Sequence, residues 1–416
     1  MVSSMEKAVY RIKEIAEVVG GGTPRTDNDA FWNGDIPWIS PNDLTNYKYV
    51  YIGHGANFIT DLGYRKSSTK MLPQGTILFS SRAPIGYVAI AANKICTNQG
   101  FKSLVLKETI NNVYFYYWIK CNLDYIKCYG SGATFPELSG SRMKNIKVEI
   151  FNDIIYQKKI ANVLSKYDDL IENNDKRIRL LEQMAESLYK EWFVRFRFPG
   201  HEIVKFVDGI PEGWKYEKFS DVCPYTRGIS YSSEQIENEN STNLLINLKN
   251  LRDYGGFRKE NCKHYEGLYK TEQMVKKFDL VMAVTEMVQD RRIIGYVGLV
   301  PSYEKKCVIS ADLIKFNSDI SNIFLYAMFT YGDVSRYCSQ YGNGTNVIHL
   351  RPTSLRNIKL LIPEHSLIEK YSSIVEQYFE EIDRLQQANE NLIKQRDALL
   401  PKLMSGKIDL SNKEII

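Results

Sequence analysis

Two stretches of the chain carry apolar residues at alternating steps of four and three. In the first, Ile160, Leu164, Tyr167, Ile171, Asn174, Ile178, Leu181, Ala185, Leu188 and Trp192 share one seam. In the second the seam is Tyr371, Val375, Tyr378, Ile382, Leu385, Asn389, Leu392, Arg396, Leu399 and Leu403. That spacing marks a helix that packs lengthwise along another helix. Neither stretch contains Gly or Pro before Pro401, so each predicts one unbroken helix of about 40 residues, roughly 60 Å long. Equal length, equal period and duplicated placement predict that the two helices pair. The alternative is two independent amphipathic helices, each lying on its own domain. Asn174 and Asn389 each put an amide in the seam, either as a device that fixes register at some cost in stability or as a polar residue tolerated near solvent.

The blocks ahead of these helices, about residues 5–150 and 212–363, read as mixed α/β. Short β-rich runs (76–80, 87–91, 280–284 and 295–300) are punctuated by Gly, Pro, Asn and Asp turns. One helix-like aromatic stretch, 113–120, has its counterpart at 323–331. Tyr129 to Ile150 aligns without gaps to Tyr341 to Ile362 at a shift of 212, in a chain of 416 residues. Eight of the 22 aligned positions are identical: Tyr129/Tyr341, Gly130/Gly342, Gly132/Gly344, Leu138/Leu350, Asn145/Asn357, Ile146/Ile358, Lys147/Lys359 and Ile150/Ile362. The chain is nearly two copies of one unit. Upstream, Gly34 to Leu44 echoes Asn243 to Leu251, and Ile85 to Val88 echoes Ile294 to Val297. Their shifts differ from 212, so the copies carry different insertions.

Composition narrows the class. With 44% hydrophobic and 25% charged residues, collagen-like, disordered and disulfide-scaffold chains are excluded. The longest uncharged apolar run, Ile320 to Gly332, falls short of the ~20 residues of a membrane helix. Charges interrupt every candidate signal core near the N-terminus, so the expected compartment is the cytoplasm. A net charge of +5 permits an anionic partner without demanding one. Seven cysteines without a CxxC pair read as reduced core residues, and the five histidines never fall at ligand spacing, so no metal site is expected.

No catalytic constellation emerges, and no catalytic residue is assigned. Gly20-Gly21-Gly22 is followed by Thr-Pro rather than by Gly-Lys-Ser/Thr and reads as a turn. There is no GxSxG, no HExxH, and no GxGxxG opening a helix. A DNA-amino methyltransferase would need a Gly-rich cofactor loop and an Asn/Asp-Pro-Pro-Tyr/Phe string, and neither occurs. The weight moves toward a binding protein, and two similar domains joined by paired helices suit duplex DNA. Base edges are read by Arg, Lys, Asn, Gln, Ser and Thr, while further contacts to phosphates fix orientation. In the first copy the candidate readers are Thr23, Arg25, Thr26, Ser80, Ser81, Arg82, Asn98, Gln99, Ser131 and Thr134. In the second they are Arg227, Lys249, Asn250, Arg291, Arg292, Asn343, Thr345 and Asn346. Lys144, Lys147, Arg356 and Lys359, beside the duplicated loops, are either phosphate clamps or exposed strand charges.

A variable block, a heptad helix carrying IANVLSKYDDLIENNDKRIRLLEQMAESLYKEWF, a second block and a closing helix ending LLPKLMSGKIDL together resemble the specificity subunit of Type I restriction-modification systems. The opening GGTPRTDNDAFWNGDIPWISPNDL resembles that family's N-terminal segment. The resemblance implies two tandem target recognition domains of mixed α+β fold, the first over residues 1–151 and the second, with the linker ahead of it, over 195–363, each reading half of a split site. Helices over 152–194 and 364–404 would form an antiparallel coiled coil separating them, with a tail at 405–416. The implied partners are double-stranded DNA, two adenine-N6 methyltransferase subunits and two ATP-driven restriction subunits. S-adenosylmethionine, ATP and Mg would be held by those partners, and this chain would catalyse nothing. The second block opens PEGWKYEKFSDVCPYTRG, without the GGTP-like turn, so the two domains should read different sequences. The alternatives are an orphan specificity protein or DNA-binding regulator that lacks partners, a coiled-coil adaptor that ignores DNA, and a free-standing methyltransferase.

Overall fold

The computed structural model describes residues 5–132, 136–236 and 241–411. The chain divides into two compact units, residues 1–174 with 388–416, and residues 175–387. Each long helix contributes to both.

In the first unit a five-stranded sheet has the order Ala16–Gly20, Lys102–Leu106, Ile77–Ser81, Ile85–Ala91, Tyr51–Ile52. A three-stranded sheet has the order Asn57–Ile59, Trp32–Ile39, Cys96–Thr97, its last pair parallel. Ile77–Ser81 is buried along its whole length, which is why its sequence is a continuous run without inside-outside alternation. The helix Asn112–Cys121 starts where the Asn111 side chain accepts the Tyr114 N–H at 2.8 Å, an N-cap that satisfies one of the free first-turn donors. Six consecutive residues of this helix, Tyr114 to Ile119, are buried. A helix apolar all round belongs inside, and this one forms the centre of the unit's core. Gln157, fully buried, donates to the Phe151 carbonyl at 2.7 Å and accepts the Asn111 N–H at 2.8 Å. It fastens the start of the first long helix to the domain.

The second unit repeats this plan. One four-stranded sheet runs Tyr225–Arg227, Leu313–Phe316, Leu280–Ala283, Val297–Leu299, and another runs Lys263–Tyr265, Asn243–Ile246, Lys306–Ile309, Met274–Val275. The helix Asn322–Tyr331 takes the place of Asn112–Cys121. Lys147–Phe151 pairs with Lys7–Arg11 in one unit, and Lys359–Ile362 with Lys215–Lys218 in the other. The copies differ at their sheet edges: Tyr51–Ile52 adds a fifth strand in the first unit only, and where the second unit has the strand Met274–Val275 the first has a single antiparallel bridge, Leu72 to Ile95.

The first long helix spans Ile154–Tyr189 and ends in one π turn, Lys190–Val194. The second spans His365–Ser405. Contacts descend along one helix as they ascend the other, so the pair is antiparallel. In the first unit Asn174 meets Asn389 at 2.8 Å and Asp168 accepts from Arg396 and from Tyr117. In the second, Ile178 packs with Leu181, Ile382 and Leu385, and Arg177 pairs with Glu381 at 2.8 Å. Leu164, Ile171, Ile178, Val375, Ile382, Leu385 and Asn389 are buried in the seam, while Asn174, Leu181, Leu188, Leu392 and Leu399 are half-buried. Pro401 does not stop the second helix, which continues to Ser405 and closes on Gly406 at φ +81, the left-handed conformation usual just past a helix end.

Candidate nucleic-acid interface

In the first unit the antiparallel ladders set Gly20 beside Lys102 and Ser81 beside Ile85, with Ser80 opposite Phe101. The loops after Gly20, after Ser81 and before Lys102 therefore leave the sheet at one edge. The Gly-rich loop after Tyr129 joins them there. Ser131 and Glu137 exchange backbone hydrogen bonds at 3.0 and 2.8 Å, and the Leu138 N–H donates to the Ser81 carbonyl at 2.8 Å. Glu137 stands 3.7 Å from Arg82 and 4.0 Å from Lys102. Burial pushes the Lys102 ammonium below its ordinary value while Glu137 pulls it back up.

The second unit builds the same edge. Arg227 lies beside Ile314, Ala283 beside Leu313 and Met282 beside Val297. Asn343 and His349 exchange backbone hydrogen bonds at 3.0 and 2.8 Å, and the Leu350 N–H donates to the Val284 carbonyl at 2.9 Å. These contacts fall at the repeat positions of Ser131, Glu137 and Leu138. Gly132 and Gly344 are identical because both turn at positive φ, +113 and +148.

The sequence candidates distribute unevenly over these edges. Exposed at the first are Arg25, Thr26, Gln99 and Ser131, with Thr23, Arg82 and Asn98 half-buried among them. Thr23 donates to Gln99, Arg25 clasps Asp27 at 3.2 and 2.8 Å, and Asn98 accepts the Gly100 N–H at 2.8 Å. Exposed at the second are Arg227, Asn343, Thr345 and Asn346, with Lys249 exposed on a neighbouring turn. Thr134 lies outside the described residues.

Ser80, Ser81 and Asn250 are corrected, because all three are fully buried. The Ser80 hydroxyl donates to the Pro84 carbonyl at 2.7 Å and accepts the Gly86 and Tyr87 N–H groups at 3.1 and 2.8 Å. Ser81 donates to Gly100 at 3.0 Å, and Asn250 donates to the Arg258 carbonyl at 2.9 Å. They shape the loops that carry the other candidates. Arg291 acts similarly, donating to the carbonyls of Ser339, Gln340 and Gly342 at 3.3–3.4 Å. Arg292 is engaged by Asp253 and Asp290 at 3.3 and 3.2 Å.

Sequence reasoning missed Glu286. It is buried and accepts the Ile293 and Ile294 N–H groups at 2.6 and 3.2 Å, pinning the loop between them. The glycine turn is also clarified. A Cβ at Gly21 would stand 2.0 Å from the Asn98 carbonyl, and one at Gly228 would stand 2.1 Å from that of Ser310. The second copy thus keeps one close-approach glycine although it lacks the GGTP string.

Among the described residues no group of three or more His, Cys, Asp or Glu could hold a metal, and no helix is long and apolar enough to cross a membrane.

Residues 5–183 match the family model described as the Type I restriction modification DNA specificity domain. The specificity subunit of the Type I restriction enzyme MjaIX from Methanocaldococcus jannaschii is 34% identical, over 96% of this chain and 93% of its own length. That of EcoR124I/EcoR124II from Escherichia coli is 28% identical over 46% of this chain and 48% of its own. In fold, the chain is similar to the S subunit of the Type I system of M. genitalium, with a TM-score of 0.61 at 14% identity, covering 99% of this chain and 98% of that one. With a relative this similar along nearly its whole length, and with the duplicated units and antiparallel helices described above, the chain belongs to the specificity subunits of Type I restriction-modification systems.

Proposed function

We propose that each unit reads one half of a split double-stranded DNA site through its loop edge, and that the chain supplies sequence choice to subunits that do the chemistry. The observation that carries this is one edge built twice on a common backbone frame with unlike side chains at its tip: Arg25, Gln99 and Ser131 in one unit, Arg227, Asn343 and Asn346 in the other. Two readers of similar geometry and different hydrogen-bonding groups suit two different half-sites. The partners are two methyltransferase subunits and two restriction subunits, docked with the help of the paired helices. S-adenosylmethionine, ATP and Mg act in those subunits.

The test is reconstitution. The purified chain alone should transfer no methyl group to DNA, and addition of the methyltransferase subunit should produce adenine methylation within one split sequence. Methyl transfer by the chain alone would overturn the reading, as would methylation at a single uninterrupted site.

A further inference from the structure

Beside the loop edge, each unit carries a second duplicated feature that does not vary between the copies. Tyr125 and Tyr129 stand one helical turn apart with hydroxyls 2.8 Å from each other and rings 5.3 Å apart. At a shift of 212, Tyr337 and Tyr341 repeat this, with hydroxyls at 3.2 Å and rings at 5.7 Å. Tyr125 is 41% and Tyr337 54% exposed, so neither ring is there to fill a core. Tyr125 and Lys147 line one groove in the first unit, and Tyr337, Tyr341 and Lys359 line its counterpart in the second.

The groove adjoins the reading edge. A Cβ at Gly130, next to Tyr129, would stand 2.8 Å from the Ile85 side chain, and one at Gly342, next to Tyr341, would stand 3.1 Å from that of Ile294. The Tyr129 carbonyl is held by Arg142 at 3.1 Å.

Charge along the repeat points the same way. In the 22 aligned positions, only Lys144/Arg356 and Lys147/Lys359 pair two residues of like formal charge, and both pairs are basic. All four side chains are exposed. Base edges differ between half-sites, so their readers must differ. The sugar-phosphate backbone is the same at both, so its contacts can be alike. In each tyrosine pair one hydroxyl proton bonds the neighbouring oxygen and the other remains to point outward. A phosphate oxygen, which only accepts, suits that donor and the adjacent ammonium.

We infer that Tyr125, Tyr129 and Lys147 in one unit, and Tyr337, Tyr341 and Lys359 in the other, form twin anchors for the DNA phosphate backbone, positioning each reading edge without choosing bases. This rests on the DNA-reading proposal above. The alternative occupant is a pair of identical protein subunits.

The test uses the full chain and a random-sequence duplex, because phosphate contacts ignore sequence. Affinity is measured against salt for the native chain, for Lys147→Gln with Lys359→Gln, for the two Lys→Arg changes, and for Tyr125→Phe with Tyr337→Phe. The slope of log affinity on log salt should fall by about 0.9 for each lysine removed, so the native advantage over the Lys→Gln variant should shrink about tenfold between 50 and 200 mM salt. The Arg variant should keep the native slope, and the Phe variant should bind severalfold more weakly at every salt. A native slope in the Gln variant overturns the anchors. So does loss of co-elution with the methyltransferase subunit at unchanged DNA binding, which would make the groove a protein dock. Absence of salt-dependent DNA binding by the native chain, alone and with that subunit, would instead remove the DNA-reading proposal itself.

Discussion

The Asn174 side-chain amide donates to the carbonyl oxygen of the Asn389 side chain at 2.8 Å, and Asn389 is buried at that point. Each residue is the one neutral amide in its seam, and the antiparallel register brings the two together. An amide pair in an apolar seam gains little stability over two leucines, but it penalises every register that separates its members.

That balance gives the first prediction. Asn174→Leu should destabilise the chain, because it takes from Asn389 its amide partner inside the seam. Adding Asn389→Leu should recover the loss or exceed it, with a coupling of about 0.5–3 kcal/mol. Chemical denaturation of the native chain, the two single variants and the double variant measures it. Additive losses would show that the amides act independently.

Features written in local periodicity were legible in the sequence. The seams from Ile160 to Trp192 and from Tyr371 to Leu403 lie on helices, because a helix repeats its environment every few residues. The duplicated loop was legible because Gly132 and Gly344 answer to backbone conformation alone. Burial of small polar residues was not. Ser80 and Ser131 look alike in sequence, yet one is enclosed by the Pro84, Gly86 and Tyr87 backbone and the other is exposed. What separates them is how the chain turns back after Ser81, so that the start of the next strand closes over the Ser80 hydroxyl. Glu286 escaped for the same reason, since nothing near it in sequence shows that two backbone N–H groups will need its carboxylate.

Ser80 and Ser131 should therefore respond oppositely to substitution. Ser80→Ala leaves two partly buried N–H groups without the fully buried hydroxyl that accepts them and should cost about 1–3 kcal/mol of stability. Ser131→Ala with Gln99→Ala should leave stability nearly unchanged and relax one half-site only, while Asn343→Ala with Asn346→Ala relaxes the other. Removing a well-formed hydrogen bond to a base edge should lower discrimination by about 1–3 kcal/mol. Thermal unfolding and methylation mapping in the reconstituted complex read the two effects separately. Relaxation of the same half-site by both double variants would refute the division of labour.

Glu286 should matter for specificity beyond its effect on stability. Glu286→Gln keeps the shape of the side chain and removes the charge that strengthens its bonds to the Ile293 and Ile294 N–H groups. The loop carrying Gln289 should loosen, and discrimination should fall at the half-site proposed for Asn343 and Asn346. The other half-site should be unaffected, since its loops are pinned by Ser80 and Glu137. Equal loss at both half-sites in the methylation map would show that Glu286 does not act through this loop.

Alkaline pH should destabilise the second unit through Tyr326. Burial pushes its hydroxyl up to about 12, with Glu182 adding to the rise and Arg252 opposing it, whereas an unfolded tyrosine titrates near ~10. The folded state therefore holds its proton where the unfolded state has released it. Stability from this group is complete below pH ~10 and declines as pH rises toward the folded value, by up to about 1.4 kcal/mol per pH unit. Tyr326→Phe keeps the ring in place against Phe379, 5.5 Å away, and removes the titration. Denaturant midpoints of the native chain and the variant, compared at successive pH values, should differ at neutral pH only by what the hydroxyl itself contributes. Above pH ~10 the native midpoint should fall more steeply than that of the variant. Parallel curves through pH 11 and beyond would mean that the Tyr326 proton is released as easily in the folded chain as in the unfolded one.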